Sequence, residues 1–238
     1  LGTGGARVLP REEERMPLRA QLATVLANRP FVILASIKFV QLFGVAAIGA
    51  TLLFLIKSVL GRSEAELGVL YGLPNLVGTI GAMPAWLACA RRFGKRNTYL
   101  VAVIGFVALS LTWLAAGPDE ADLVFALRGF LLGVVTGGIL LMGISMLPDT
   151  IEYDARRTGL RQEGIYSGMY SFVEKTAFAF GPLVIGVLLQ AMGYDREAAT
   201  QNEDTIRAIY VGAAVIPALA FAASIPGVPA AMREGRTP

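Results

Sequence analysis

Six apolar runs, each long enough to cross a bilayer, leave this chain few ways to fold. They cover residues 31–56, 67–90, 98–117, 123–147, 164–192 and 208–228, against the roughly 20 residues a helix needs to cross about 30 Å of hydrocarbon. In lipid every backbone N–H and C=O must find its partner inside the protein, so runs of this kind are helices packed on helices. Residues are 55% hydrophobic and only 16% charged, with a mean hydropathy of +0.59, which excludes an ordinary soluble domain. The expected fold is an all-α membrane protein. A basic segment over 1–30 leads into a bundle of six transmembrane helices over 31–230, and a short tail follows over 231–238.

The loops carry the topology. Fourteen Lys and Arg residues fall on one side, among them Arg7, Arg11, Arg15, Arg19, Arg29, Arg91, Arg92, Lys95, Arg96 and Arg156. The other side holds four, Lys57, Arg62, Arg196 and Arg207, and the spans themselves hold Lys38, Arg128 and Lys175. By the positive-inside tendency both termini are cytoplasmic. The net charge of +3 then reflects membrane topology, and no nucleic-acid partner is expected. One cysteine, Cys89, and no histidine exclude a disulfide framework, a zinc site and histidine-based catalysis. The chain starts Leu1-Gly2-Thr3, without Met or a charged-then-apolar leader, so no signal peptide is expected, and the basic segment Arg7 to Arg29 reads either as a flexible tail or as a cytoplasmic linker, partly helical and amphipathic.

Within the spans, breakers and charges single out particular helices. The second run has Gly68, Gly72, Pro74, Gly78, Gly81 and Pro84, which predicts a bent helix. The fourth has Gly129, Gly133 and Gly137 on one stripe, which predicts close approach of a neighbour. Arg128 on the same run either snorkels to the outer face or meets a solute. The third and sixth runs are uncharged and read as lipid-facing, with Trp113 as an interfacial aromatic and Asp119, Glu120 and Asp122 as a solvated outer loop. Lys38 either snorkels to the cytoplasmic headgroups or lines a cavity together with Gln41.

The fifth run carries the chemistry. Lys175 lies on the order of 16 Å along the helix from the charged connection at 149–163, near the bilayer midplane. An ionisable group at that depth costs roughly 2.5–3.5 kcal/mol or more, so it faces a protein interior or a watery path. Gly164, Ser167, Gly168, Ser171, Lys175, Phe178 and Pro182 fall on one stripe, with Tyr170, Glu174 and Gly181 beside it. Hydroxyls and an ammonium can bond sugar hydroxyls, and aromatic faces can cover sugar C–H groups. Glu174 either neutralises Lys175 or titrates with protons.

Across the same region an ordered pattern appears: Asp149, Glu152, Tyr153, Thr158-Gly159, Arg161, Glu163, Ser167, Ser171-Phe172 and Lys175. It resembles the tenth-to-eleventh helix region of the glycoside-pentoside-hexuronide:cation symporters, the melibiose-permease-like branch of the major facilitator superfamily. The basic turn Arg91-Arg92-Phe93-Gly94-Lys95-Arg96 is similar to the short loop of facilitator halves, with Arg91 where an Asp is usual. The resemblance covers the second half of such a transporter. It implies a half-bundle of three plus three inverted helices, working with an N-terminal six-helix half, with Arg7 to Arg29 as the cytoplasmic linker between the two transporter halves; the high Ala, Gly and Arg usage points to a bacterial inner membrane. It further implies symport of a small solute, a sugar or glycoside, with Na⁺ or H⁺ as the coupling cation and no permanently bound cofactor or metal. Lys175, Glu174, Ser171, Tyr170, Ser167, Gln41 and Lys38 would line the path. Asp149, Glu152 and Arg161, with Arg92 and Arg96, would form the cytoplasmic gate.

Two other classes compete. The same superfamily includes carriers of lysolipid-type amphipathic solutes. An intramembrane hydrolase would use Ser171 and Lys175, at i and i+4, as nucleophile and base, but no G-x-S-x-G elbow accompanies them.

Overall fold

The computed structural model describes residues 17–159, 163–198 and 200–228; Arg161 and both chain ends lie outside them. Helix entry is set by side chains that satisfy the unpaired first N–H groups of a helix. Asn28 caps the first span, Arg29–Ser58, by accepting from the Phe31 N–H, and Pro30 sits in the first turn where its missing N–H costs little. Ser63 and Glu66 close a capping box at the start of the second span. Asn202 accepts from Thr205 N–H at the start of the sixth. A short helix, α1 (Leu18–Ala27), precedes the first span.

The third span is Lys95–Ala115, the fourth Asp122–Thr158, the fifth Glu163–Ala191 and the sixth Glu203–Ser224. The second consists of two helices, Glu64–Gly81 and Met83–Phe93, bent by 40° where they meet, with Pro84 just past the break. A π-helical turn, Leu67–Gly72, precedes Pro74, and another, Val211–Val215, precedes Pro217. In both places the wider turn accommodates a ring that cannot donate to the preceding turn.

Neighbouring spans run in the order fifth, first, sixth, third, fourth, second, and the first also meets the fourth. The series is open, because among the described residues the fifth and second spans at its ends are not packed on each other. Exchanging spans one, two and three for four, five and six leaves this pattern unchanged. First–fifth becomes fourth–second, first–sixth becomes fourth–third, and third–sixth maps onto itself. The two triplets cross in opposite directions, so the packing is that of an inverted repeat. Phe106 and Phe221 stack at 3.9 Å where the third and sixth spans meet. These two spans close the back, and the fifth, first, fourth and second border the open side.

Small residues make the tightest contacts. The second span runs against the fourth with backbone on backbone: a Cβ on Gly129 would lie 2.7 Å from the Tyr71 carbonyl oxygen, and Cβ atoms on Gly133 and Gly137 would collide with the carbonyls of Asn75 and Thr79. Gly78 answers from the other side against Phe130, and Asn75 Nδ2 donates to the Gly129 carbonyl at 3.1 Å. The symmetry-related contact sets Gly181 of the fifth span against Ala46 and Ala47 of the first. Lipid tails are as apolar as leucine, so van der Waals contact of this closeness replaces the water-driven burial available to soluble helices.

One aromatic differs from its expected place. Trp113 is fully buried between Tyr71, Phe125 and Arg128 instead of sitting at the lipid interface. The last turn of the third span tightens to a 3₁₀ helix there and directs the indole inward.

Gly133→Ala is expected to destabilise the bundle by about 1–3 kcal/mol, read as a lower thermal unfolding midpoint in detergent. Gly168→Ala, whose added Cβ meets nothing within 4 Å, should leave the midpoint unchanged or slightly raised.

Candidate functional site

The fifth span divides into two faces. Tyr166, Tyr170, Ala177, Gly181, Ile185 and Leu189 are buried, and this stripe packs on the first span, with Tyr166 edge-on to Phe31 at 4.8 Å. Gly164, Ser167, Gly168, Ser171, Lys175, Phe178 and Pro182 are all exposed, and Cβ atoms built on Gly164 and Gly168 would meet open space. The polar stripe expected from the spacing is therefore a continuous face that no other part of the described residues covers. Ser171 and Lys175 share that face, and no hydrogen bond joins them among the described residues.

The two candidate charges beside Lys175, Lys38 and Glu174, are paired with each other. Lys38 does not reach for the headgroups. Its ammonium lies 3.4 Å from Glu174 Oε2 and 4.9 Å from the centre of the Tyr170 ring, with a side chain only 14% exposed. Glu174 thus answers Lys38 across the helix contact, and no ion pair joins it to Lys175 among the described residues. The ring of Tyr170 is buried against the first span, and its hydroxyl has no hydrogen-bond partner there.

Gln41 sits elsewhere. It is 4% exposed, accepts from the Tyr99 hydroxyl at 2.6 Å and donates to Ser224 Oγ at 2.8 Å. These bonds satisfy both ends of the amide inside the contact of the first, third and sixth spans, behind the open side. Its spacing from Lys38, close to one turn, suggested a shared cavity; the tight sixth span fills that space, with Ala220 Cβ 3.0 Å from a Cβ built on Gly44.

At the basic end, Lys95 Nζ lies 3.1 Å from Asp149 Oδ2, joining the turn after the second span to the fourth. Glu152 pairs with Arg156 on its own helix at 3.0 Å. Arg92 lies over its neighbour Phe93 at 5.6 Å, and neither it nor Arg96 makes an ion pair with Asp149 or Glu152 among the described residues. The loop does supply a cation to the acids, but through Lys95, whose position opening the third span aims it at the fourth. Arg161 lies outside the described residues. Sequence reasoning missed Asn28, which is fully buried here and donates to the Thr150 carbonyl at 3.2 Å and the Tyr166 hydroxyl at 3.0 Å while capping the first span. The available signal was an Asn directly before Arg29-Pro30, the pattern of a helix start.

At the opposite end, Arg128 neither snorkels nor faces the open side. Its guanidinium forks onto Glu120 at 2.6 and 2.7 Å, Nε donates to Thr112 at 3.1 Å, and the Trp113 ring lies 4.5 Å away. Both partners are buried, at 7% and 8% exposure, so Glu120 is not part of a solvated loop. Arg62 adds Asp122 at 2.5 Å and the Glu120 carbonyl. A bidentate pair of this kind withstands burial because each oxygen keeps a donor.

Comparison with known proteins follows this geometry. A family described as MFS/sugar transport protein matches residues 6–227. The chain belongs to that family. A glucuronide carrier protein homolog of Escherichia coli (strain K12) is 29% identical over 203 residues, which is 84% of this chain and 43% of that protein. An isoprimeverose transporter of Lactiplantibacillus pentosus is 26% identical over 214 residues, 89% of this chain and 43% of the relative. The inner membrane symporter YicJ of Escherichia coli (strain K12) is 26% identical over 208 residues, 86% and 44%. The chain thus spans less than half the length of the curated relatives it matches. The family agrees with the resemblance read from 149–175, and six spans in an inverted repeat are one half of a facilitator fold.

Replacing Arg128 by Met or Glu120 by Gln singly is expected to cost about 3–5 kcal/mol, because each leaves a buried charge or donor set unanswered. The double replacement should cost clearly less than the sum of the two, measured as thermal unfolding in a double-mutant cycle.

Proposed function

We propose that these spans are the C-terminal half of a cation-coupled glycoside symporter that works by alternating access with an N-terminal six-helix half. The observation that carries this is the uncovered face of the fifth span: Ser167 and Ser171 lead along it to Lys175 near mid-membrane depth, all exposed in a helix whose other side is packed. A lysine and two hydroxyls facing lipid would be costly, whereas beside a second bundle they line a path with donors for sugar oxygens. Lys38, Glu174 and Tyr170 border that path, and Gln41 braces the helices behind it. The names of the relatives, a glucuronide carrier homolog, an isoprimeverose transporter and a symporter, support a sugar and a coupled cation.

In this reading the basic end is cytoplasmic, by the loop charges, and the membrane is a bacterial inner membrane. Lys95 and Asp149, about half-exposed, form the inner gate. Exposed pairs are individually worth about 0–1 kcal/mol, a strength suited to contacts that form and break in each cycle. The coupling ion is Na⁺ or H⁺, and the resemblance assigns its acids to the other half.

The test is uptake of labelled glycosides, pentosides and hexuronides by the full-length transporter in proteoliposomes, with an imposed Na⁺ or H⁺ gradient. Gradient-driven accumulation of at least one of them, reduced tenfold or more by Lys175→Ala, is the expected outcome. No accumulation of any sugar under either gradient would overturn the proposal.

A further inference from the structure

Asn28 is the single residue between α1 and the first span, and its carboxamide is fully buried. The oxygen accepts from the Phe31 N–H at 3.2 Å, a bond within the first turn that travels with the helix. The nitrogen donates to the Thr150 carbonyl of the fourth span at 3.2 Å and to the Tyr166 hydroxyl of the fifth at 3.0 Å, 122 and 138 residues away. Thr150 and Tyr166 are themselves buried, and Phe31 packs edge-on to the Tyr166 ring. These contacts lie wholly among the described residues and do not depend on what covers the open face.

What the two long-range bonds hold is a helix end that can move. Pro148 lies inside the fourth span, two residues before Thr150, and a proline has no N–H to give the preceding turn. Residues 149–158 are therefore joined to the rest of that helix through a weakened turn, the usual place for a kink. Asp149 of the same segment pairs with Lys95, so the segment is held from two sides, by Lys95 at the start of the third span and by Asn28 at the start of the first. Only contacts present in one of two arrangements bias the balance between them. The cap is local and belongs to both, whereas the bonds to Thr150 and Tyr166 exist only while the inner ends of the fourth and fifth spans lie against the first. Resting on the symport reading, we propose that Asn28 is a positioning residue of the inner gate. Its amide nitrogen is a releasable tie that holds those two helix ends in the arrangement in which Lys95 and Asp149 are joined, and inward opening breaks it.

The experiment uses the full-length transporter, otherwise free of cysteine, carrying Ser171→Cys on the open face, and a membrane-impermeant maleimide applied to inside-out and to right-side-out vesicles. The ratio of labelling rates, cytoplasmic side over outer side, reports how the protein divides between inward-open and outward-open forms. A mere loss of folded protein lowers both rates and leaves the ratio alone. Asn28→Asp keeps the acceptor that caps the first span but removes both donors, and it is expected to raise the ratio about fivefold or more. Tyr166→Phe removes one acceptor and keeps the ring, and should raise the ratio about twofold; it decides where Asn28→Asp does not reach the membrane. A ratio unchanged or lowered overturns the tie, and with glycoside accumulation intact it leaves the symport reading standing. A raised ratio in a transporter that accumulates no glycoside supports the tie and overturns the symport reading instead.

Discussion

Two helix contacts made through backbone hold the bundle together: the second span on Gly129, Gly133 and Gly137 of the fourth, and the fifth span on the first at Gly181. Each is the counterpart of the other under the inverted repeat. They matter because a helix in lipid gains nothing by leaving water, so attraction must come from contact distance. Both contacts also lie at the ends of the open series of helices. They fix how the second and fifth spans, the two borders of the open side, are presented.

From this packing the charges follow in a consistent way. At the basic end a half-exposed pair, Lys95 and Asp149, joins the second-to-third turn to the fourth span. At the other end a buried fork, Arg128 on Glu120, with Arg62 on Asp122, ties together loops and helix starts. The first can open at little cost, while the Arg128–Glu120 fork is desolvated on both partners and resists separation. The half-bundle is thus braced at one end and lightly latched at the other, its looser end where Lys95 and Asp149 meet.

Much of the architecture was legible along the chain. Span number, a bend in the second span and the glycine stripe of the fourth came from residue type and spacing, because lipid admits helices alone and small residues admit close neighbours. The polar stripe of the fifth span was legible for the same reason, since period 3.6 places Ser167, Ser171 and Lys175 together. What spacing could not supply was the partner of each polar group. Gln41 had the depth of a path residue and is bonded to Tyr99 and Ser224, far away in sequence. Glu120 read as a loop acid and is buried. Arg92 and Arg96 were the candidates for the acids of the fourth span, and the residue that reaches Asp149 is Lys95, which opens the third span.

By itself, then, the sequence determined that the chain carries six runs apolar and long enough to cross a membrane, that the second of them bends, that the fourth admits a close neighbour, and which helix carries charge at mid-depth, for these depend on local composition and helical period. Only the tertiary structure decided that Glu174 answers Lys38, that Arg128 answers Glu120, and that Lys175 faces the open side with no ion pair among the described residues. Such pairings depend on which spans lie side by side, and that is set by contacts between residues on different helices.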